Sequence, residues 1–190
     1  GVKRDLPYGF AQRARAKLDL FKQRIQEYES LFDESTVFLV RTQGVGYTKA
    51  EEMVNHGVTG PNVRAAGVDY DVRWAHPYSV YSELDWAPAV ERSSIKGADC
   101  YDRYRVRVTE MVESANMVLE ALERMPGGAE THYEPGDPAI IAKAPSRAPE
   151  GTFGSHHFED SRGESMFHIV GGGEGRGKNP YRVSIRSPMF

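Results

Sequence analysis

DRYRVRVTEMVESANMVLEALERMPGG, residues 102–128, decides how the rest of the chain is read. Tyr104, Val108, Met111, Ala115, Val118, Leu122 and Met125 follow one another at steps of four, three, four, three, four and three, which lines them along one face of an α-helix. Pro126-Gly127-Gly128 ends the run by removing a backbone donor and then relaxing the chain. Upstream, Phe10, Ala14, Leu18, Phe21, Ile25, Tyr28 and Phe32 repeat the pattern. Two helices of that length span roughly 35 Å each at about 1.5 Å per residue, half of a four-helix core. Two further helices are therefore expected outside the chain.

Between the helices, Thr48-Lys49-Ala50-Glu51 fits a capping box opening a short helix to about Asn55, closed by Gly57. GVTGPNVRAAGVDYDVRWAHPYSVY, residues 57–81, has no clean period and mixes Arg64, Asp69, Asp71 and Arg73 with aromatic residues. Irregular chain of that composition is expected to be mostly buried, with its charges paired, because buried charge needs a partner. Residues 129–150, rich in Pro, Gly and Ala, read as a linker. Beyond it Met166–Val170 and Tyr181–Ile185 alternate as strands joined through GGGEGRGKN in a hairpin. The predicted class is α+β: a long-helix bundle, an irregular central loop region and a C-terminal β-hairpin. The 190 residues are taken as a single domain, with a helical part over 1–128, the linker over 129–150 and a hairpin part over 151–190.

Composition narrows the function. The chain is 39% hydrophobic and 27% charged, with net charge −3 and pI near 6.1, so it carries no overall basic field for nucleic acid. Cys100 is the single cysteine, which rules out an internal disulfide and cysteine ligation of an iron–sulfur cluster within these residues. That usage, with no bilayer-length apolar run and no signal-peptide core in GVKRDLPYGF, fits a reducing, cytoplasmic location. The absence of an initiator Met and the end at SPMF read as a fragment of something longer.

The usual chemical motifs are weak. Gly171–Gly177 leads into Asn179-Pro180 and a strand, so it reads as a turn and not a phosphate loop, and Gly44-Val45-Gly46 also reads as a turn. His156 and His157 point to opposite faces of a strand, and neither they nor His168 stand at a ligand spacing with other donors. Cys100 has no histidine near it in sequence. What remains is charge in a glycine and aromatic context, Arg64 with Asp69, Asp71 and Arg73, and Glu159 with Arg162 and Glu164. Without further information that set reads as an ion-pair network fastening loops to helices.

Seven ordered blocks resemble a known family: GVKRDLP, FLVRTQGVGYTKAEE, GVTGPNVRAAGVDYDVR, HPYSVY, DCYDRYRVRVTEMVESANMVLEAL, the pattern Glu159-x-x-Arg162-Gly163-Glu164, and NPYRVSIRSPMF. In this order they are similar to the central part of the D-type (49-kDa-type) subunit of respiratory complex I, the NADH-quinone oxidoreductase. The family also takes in large subunits of energy-converting nickel–iron hydrogenases and archaeal F420H2 dehydrogenase. The resemblance implies a peripheral-arm subunit on the cytoplasmic side of the cell membrane, packed against an iron–sulfur subunit whose [4Fe–4S] cluster passes electrons to a quinone. It implies no cofactor bound by this chain, quinone as substrate, and an NAD(P)H- or F420H2-dependent oxidoreductase in which the isolated piece is inactive. Arg64, Asp71, Arg73, Tyr78, Glu159, Arg162 and Glu164 are the residues it places at the wall of the quinone site or at an interface. No catalytic residue is assigned, since the family's quinone-head histidine and tyrosine lie N-terminal to the matched region. Two departures stand out: Ser161 replaces the family's proline before Arg162, with Asp160 adding a charge, and the linker is short, as in archaeal members. The alternatives are a hydrogenase large subunit, which needs two Cys-x-x-Cys pairs, and an assembly module without catalysis.

Overall fold

The computed structural model describes residues 6–90, 97–125, 148–173, 175 and 179–188. The first long helix, α1 (Phe10–Asp33), starts behind Gly9, whose left-handed φ of 67° lets the chain turn in from Pro7. Ser35 then accepts from the Phe38 amide and opens α2 (Thr36–Thr42). The second long helix, α6 (Cys100–Arg124), begins with a reciprocal cap: Asp99 accepts from the Asp102 amide, and the Asp102 carboxylate accepts from the Asp99 amide, each at 3.0 Å. The long helices run antiparallel, as shown by Arg15 to Glu123 at 2.9 Å at one end and Arg105 to Glu29 and Asp33 at 2.8 and 3.0 Å at the other. These pairs are solvated and contribute little. Burial of Ala11, Ile25, Ala115 and Leu122 supplies the attraction between the helices.

The expected capping box at Thr48 is not formed. Thr48 and Lys49 make a short strand, β1, paired antiparallel with β2 (Gly97–Ala98), and α3 (Ala50–Asn55) starts one residue later with no side-chain cap. Pairing with Ala98 holds Thr48 in extended backbone, so the capping position passes to Lys49, whose side chain accepts nothing. Residues 57–81 are less irregular than the sequence implied. They contain α4 (Pro61–Ala65), with proline at its first turn, and α5 (Val72–Ala75), capped by Asp71 accepting from the Arg73 amide. They are also only half buried. Thr59–Ala66 and Asp71–Val72 are inside except for half-buried Asn62, whereas Trp74–Pro77 and Ser79–Val80 are exposed. The small core joins Met53, Val63, Ala65, Ala66, Ala89, Ala98 and Val106, seating α4 against α6.

The hairpin is part of a three-stranded antiparallel sheet. β3 (Phe153–Asp160) pairs with β4 (Gly163–Val170), and β4 with β5 (Arg182–Arg186). The alternation in β5 is as expected, but its apolar row faces outward: Val183 and Ile185 are 45% and 63% exposed while Arg186 turns inward. The inner face is ionic: the sheet's own Glu159 and Glu164 meet Arg64 and the Tyr70 hydroxyl of the helical part where a sheet normally meets an apolar core. The Pro126–Gly128 stop and residues 129–147 of the linker lie outside the described residues.

One close backbone approach docks the sheet. Gly60 has φ 76° and ψ −152°, and a Cβ there would overlap Gly163 Cα and stand 2.6 Å from the Arg162 carbonyl oxygen. The Thr59 hydroxyl accepts from the Glu164 amide at 3.0 Å across the same junction. Only glycine combines that backbone with no side chain. Gly60→Ala should therefore cost about 3 kcal/mol or more, read as a lower urea midpoint, whereas Gly151→Ala, in open space at a similar positive φ, should cost about 1 kcal/mol.

Candidate functional site: a buried arginine with three carboxylates

The site begins with α4. Pro61 and the Gly60 turn aim Arg64 into the junction of α6, α5 and β3, where the residue is 1% exposed. Burial opposes its charge, and three carboxylates answer it. Glu110 of α6 accepts from Nε at 2.9 Å and Nη2 at 2.7 Å, Glu159 of β3 accepts from Nη1 at 2.9 Å, and Asp71 lies 3.1 Å from Nη1. The Tyr70 carbonyl accepts from Nη1 at 3.1 Å. The balance holds the guanidinium above its ordinary pKa: burial alone would lower it, and Glu110, Glu159 and Asp71 together prevail.

Asp71 is shared. Arg73 donates to its two oxygens at 3.0 and 2.7 Å and lies against the rings of Tyr81 and Trp86, 5.6 and 4.6 Å from their centroids. Glu159 also accepts from the Val72 amide, and its own amide donates to the Tyr78 hydroxyl at 3.0 Å. Burial first, and then Asp71, push the Glu159 carboxyl above the ordinary carboxylate value despite Arg64.

A second cluster sits beside the first because Glu164 pairs directly across β3–β4 with Glu159. Two carboxylates opposite each other repel unless each has its own cations and donors. Glu164 takes Arg186 at 2.8 Å, the Tyr70 hydroxyl at 3.0 Å and His157 Nδ1 at 2.5 Å. Burial raises the pKa of Glu164, but these hydrogen bonds outweigh it and hold the carboxyl below 4.5. Burial and the same carboxylate push Tyr70 up to about 12, so its hydroxyl stays a donor. Arg186 reaches onward to the Gly57 carbonyl. Tyr70, His76, Tyr78, His156, His157 and Glu164 line an open cavity of about 440 Å³.

Of the residues singled out from sequence, the structure gathers Arg64, Asp71, Arg73, Tyr78, Glu159 and Glu164. Arg162 is an exposed residue in the two-residue turn between β3 and β4, where the Ser161 amide bonds Asp160. Sequence reasoning missed Glu110, Thr59, Tyr70, His157 and Arg186. Arg186 carried a usable signal as part of the polar row of β5; Glu110 carried none, being one acid among several on α6. Among the described residues no group of three His, Cys, Asp or Glu side chains could hold a metal ion. The chemistry on offer is locked charge and a hydrogen-bonded His157–Glu164 pair on a cavity wall.

The sequence profile of the family described as respiratory-chain NADH dehydrogenase, 49 Kd subunit, matches residues 1–190. The chain belongs to that family. The D-type subunit of the NADH-quinone oxidoreductase of Flavobacterium johnsoniae is 38% identical over 214 residues, covering 100% of this chain and 48% of the relative. The D-type subunit of the F(420)H(2) dehydrogenase of Methanosarcina mazei is 36% identical over 190 residues, with the same coverage of 100% and 48%. Among solved structures, the membrane-bound sulfane sulfur reductase, an archaeal respiratory membrane complex, matches with a TM-score of 0.78 and 30% identity over 99% of this chain and 48% of that one. This 49-kDa-family chain thus spans about half the length of the relatives it matches.

Arg64→Met leaves three carboxylates around an apolar side chain and should cost about 3–5 kcal/mol. That cost should shrink in acid, where the orphaned carboxylates protonate, in denaturation curves from pH 7 to pH 4. Glu164 gives a second check. Its folded-state pKa is depressed, so its contribution is present in full above 4.5 and is lost as the pH falls from there through the folded value. The stability gap between the parent and Glu164→Gln should narrow over that acid range. Glu159 has the opposite sign, because its raised value weakens the fold as it ionises.

Proposed function

We propose that this chain is a peripheral-arm subunit of a complex I-like respiratory oxidoreductase, forming part of the wall of the quinone site beside a [4Fe–4S] cluster held by a partner iron–sulfur subunit. The observation that carries this reading is the unbroken match of residues 1–190 to the 49-kDa family and to relatives named for NADH-quinone and F(420)H(2) oxidation. A single cysteine cannot ligate a four-iron cluster, so these residues do not fit one and the cluster is assigned to the partner. The cluster would carry the electron; this chain's own part is positional. Arg64, Asp71 and Glu159 fix α4, α5 and β3 to one another, Arg73 holds the Tyr81–Trp86 wall, and Glu164 with Arg186 fixes β4 and β5 to the same frame. On this reading the chain attaches peripherally, on the cytoplasmic side, through the complex; among the described residues no helix is long and apolar enough to cross a membrane.

One observation favours a second reading of the acceptor. The solved structure that the chain resembles belongs to a sulfane sulfur reductase, and on that reading the complex delivers electrons to sulfane sulfur and not to a quinone.

Isolation of the native complex through a tag on this subunit separates the readings. The expected result is co-purification of an iron–sulfur subunit, a [4Fe–4S] signal in electron paramagnetic resonance, and NADH or F420H2 oxidation that depends on an added quinone analogue. Polysulfide dependence without quinone dependence would support the second reading. Hydrogen evolution, or an assembled complex with no turnover, would refute both.

A further inference from the structure

Arg73 also belongs to a surface cavity of about 280 Å³, which Trp74, Tyr81, Ser82, Asp85 and Trp86 help to line. The base of this cavity is fixed. Trp86 is 7% exposed, donates from its ring nitrogen to the Tyr81 carbonyl at 3.1 Å, and meets the Tyr81 ring at 6.0 Å between centroids. The Arg73 guanidinium lies against both rings and is held there by Asp71. Trp74 is different. It meets Trp86 edge-on, at 5.8 Å and 88°, yet is 57% exposed, a large apolar ring left in water where burial would be favourable. A rigid aromatic base with an open indole beside it suits one flat ring, and a cavity of this volume admits little more.

The polar atoms select which ring. Asp71 takes Nε and Nη2 of Arg73, which leaves Nη1 without an acceptor among the described residues. Among those residues the Trp74 ring nitrogen and the Tyr81 and Ser82 hydroxyls make no hydrogen bond either. Guanidinium and indole N–H groups can only donate, and each hydroxyl adds a further donor. The unspent capacity of the cavity is therefore chiefly for acceptors. Charge narrows the choice. Asp71 already answers the Arg73 charge and Asp85 adds a carboxylate to the lining, so a ligand anion would meet no net positive charge. A cation would meet a guanidinium already seated on the Trp86 and Tyr81 rings.

We infer that this cavity binds a neutral, planar ring that bears carbonyl oxygens and no N–H or O–H, the chemistry of a quinone head, with the ring against Trp74 and a carbonyl accepting from Arg73 Nη1. A quinone offers acceptors alone, which is what the unspent donors require. The identification of the ring as quinone rests on the proposed electron acceptor, whereas the recognition chemistry rests on the cavity.

The test photolyses the native complex with an azido-substituted benzoquinone and maps the labelled peptides by mass spectrometry. The expected result is label within residues 73–86, displaced by an unlabelled methyl-substituted benzoquinone but not by benzoate or benzamidine. Trp74→Ala should raise the probe concentration for half-maximal label about five- to tenfold, and Trp74→Phe, which keeps a ring face, should recover most of that loss. Trp74 is exposed, so neither change opens the core. No label in 73–86, a half-maximal concentration unmoved by Trp74→Ala, or displacement by benzoate or benzamidine as effective as by quinone would overturn the site. The site and the acceptor fail separately. Label in 73–86 on a complex that reduces only polysulfide would support the site and refute quinone as the acceptor, whereas quinone-dependent turnover with no label there would refute the site alone.

Discussion

A guanidinium removed from water is the constraint on which this structure depends. Arg64 lies in the junction of three elements distant in sequence, and an uncompensated charge there would cost several kcal/mol. Its compensation is distributed, with Glu110 coming from α6, Asp71 from the cap of α5 and Glu159 from β3. Each acid can reach Arg64 only if its own element is in place. The charge therefore acts as a specificity device: it makes one arrangement of sheet, short helices and long helix far better than its neighbours. Apolar burial supplies attraction between the helices but does not by itself set where the sheet sits.

The outward apolar row of β5 follows from the same constraint. With Glu159 and Glu164 side by side on the inner face, β5 must turn Arg186 inward to Glu164, and Val183 and Ile185 are left outside. The Gly60–Gly163 approach completes the arrangement. A side chain at either position would separate the sheet from Thr59 and draw Glu159 away from Arg64.

The parts legible in the sequence were those with a short-range cause. The two long helices announce themselves through their three-and-four spacing, and the β4–β5 hairpin through alternation around a glycine-rich turn. Arg64, Asp71, Arg73 and Glu159 could be picked out because charge among glycines and aromatics is unusual, though nothing local says that one arginine would collect three acids. Glu110 stayed hidden because its role depends on where α6 passes, 46 positions from Arg64 in the chain. The Thr48 cap failed for the same reason: a pairing with Ala98, decided elsewhere, took its backbone first. The extent of burial in 57–81 was overestimated because Trp74 and Pro77 line a second, surface cavity with Tyr81 and Trp86, and composition alone does not separate that from a core.

A double-mutant cycle on Arg64→Met and Glu159→Gln, read by urea denaturation at pH 7, tests most directly whether the buried charge joins sheet to helices. Strong coupling is expected, about 2 kcal/mol or more, with the double variant more stable than the sum of the single losses implies, because each single change leaves a charge or a donor unanswered. Additive losses would contradict it, and would mean that the sheet is held on the helices by the glycine contact and apolar packing alone.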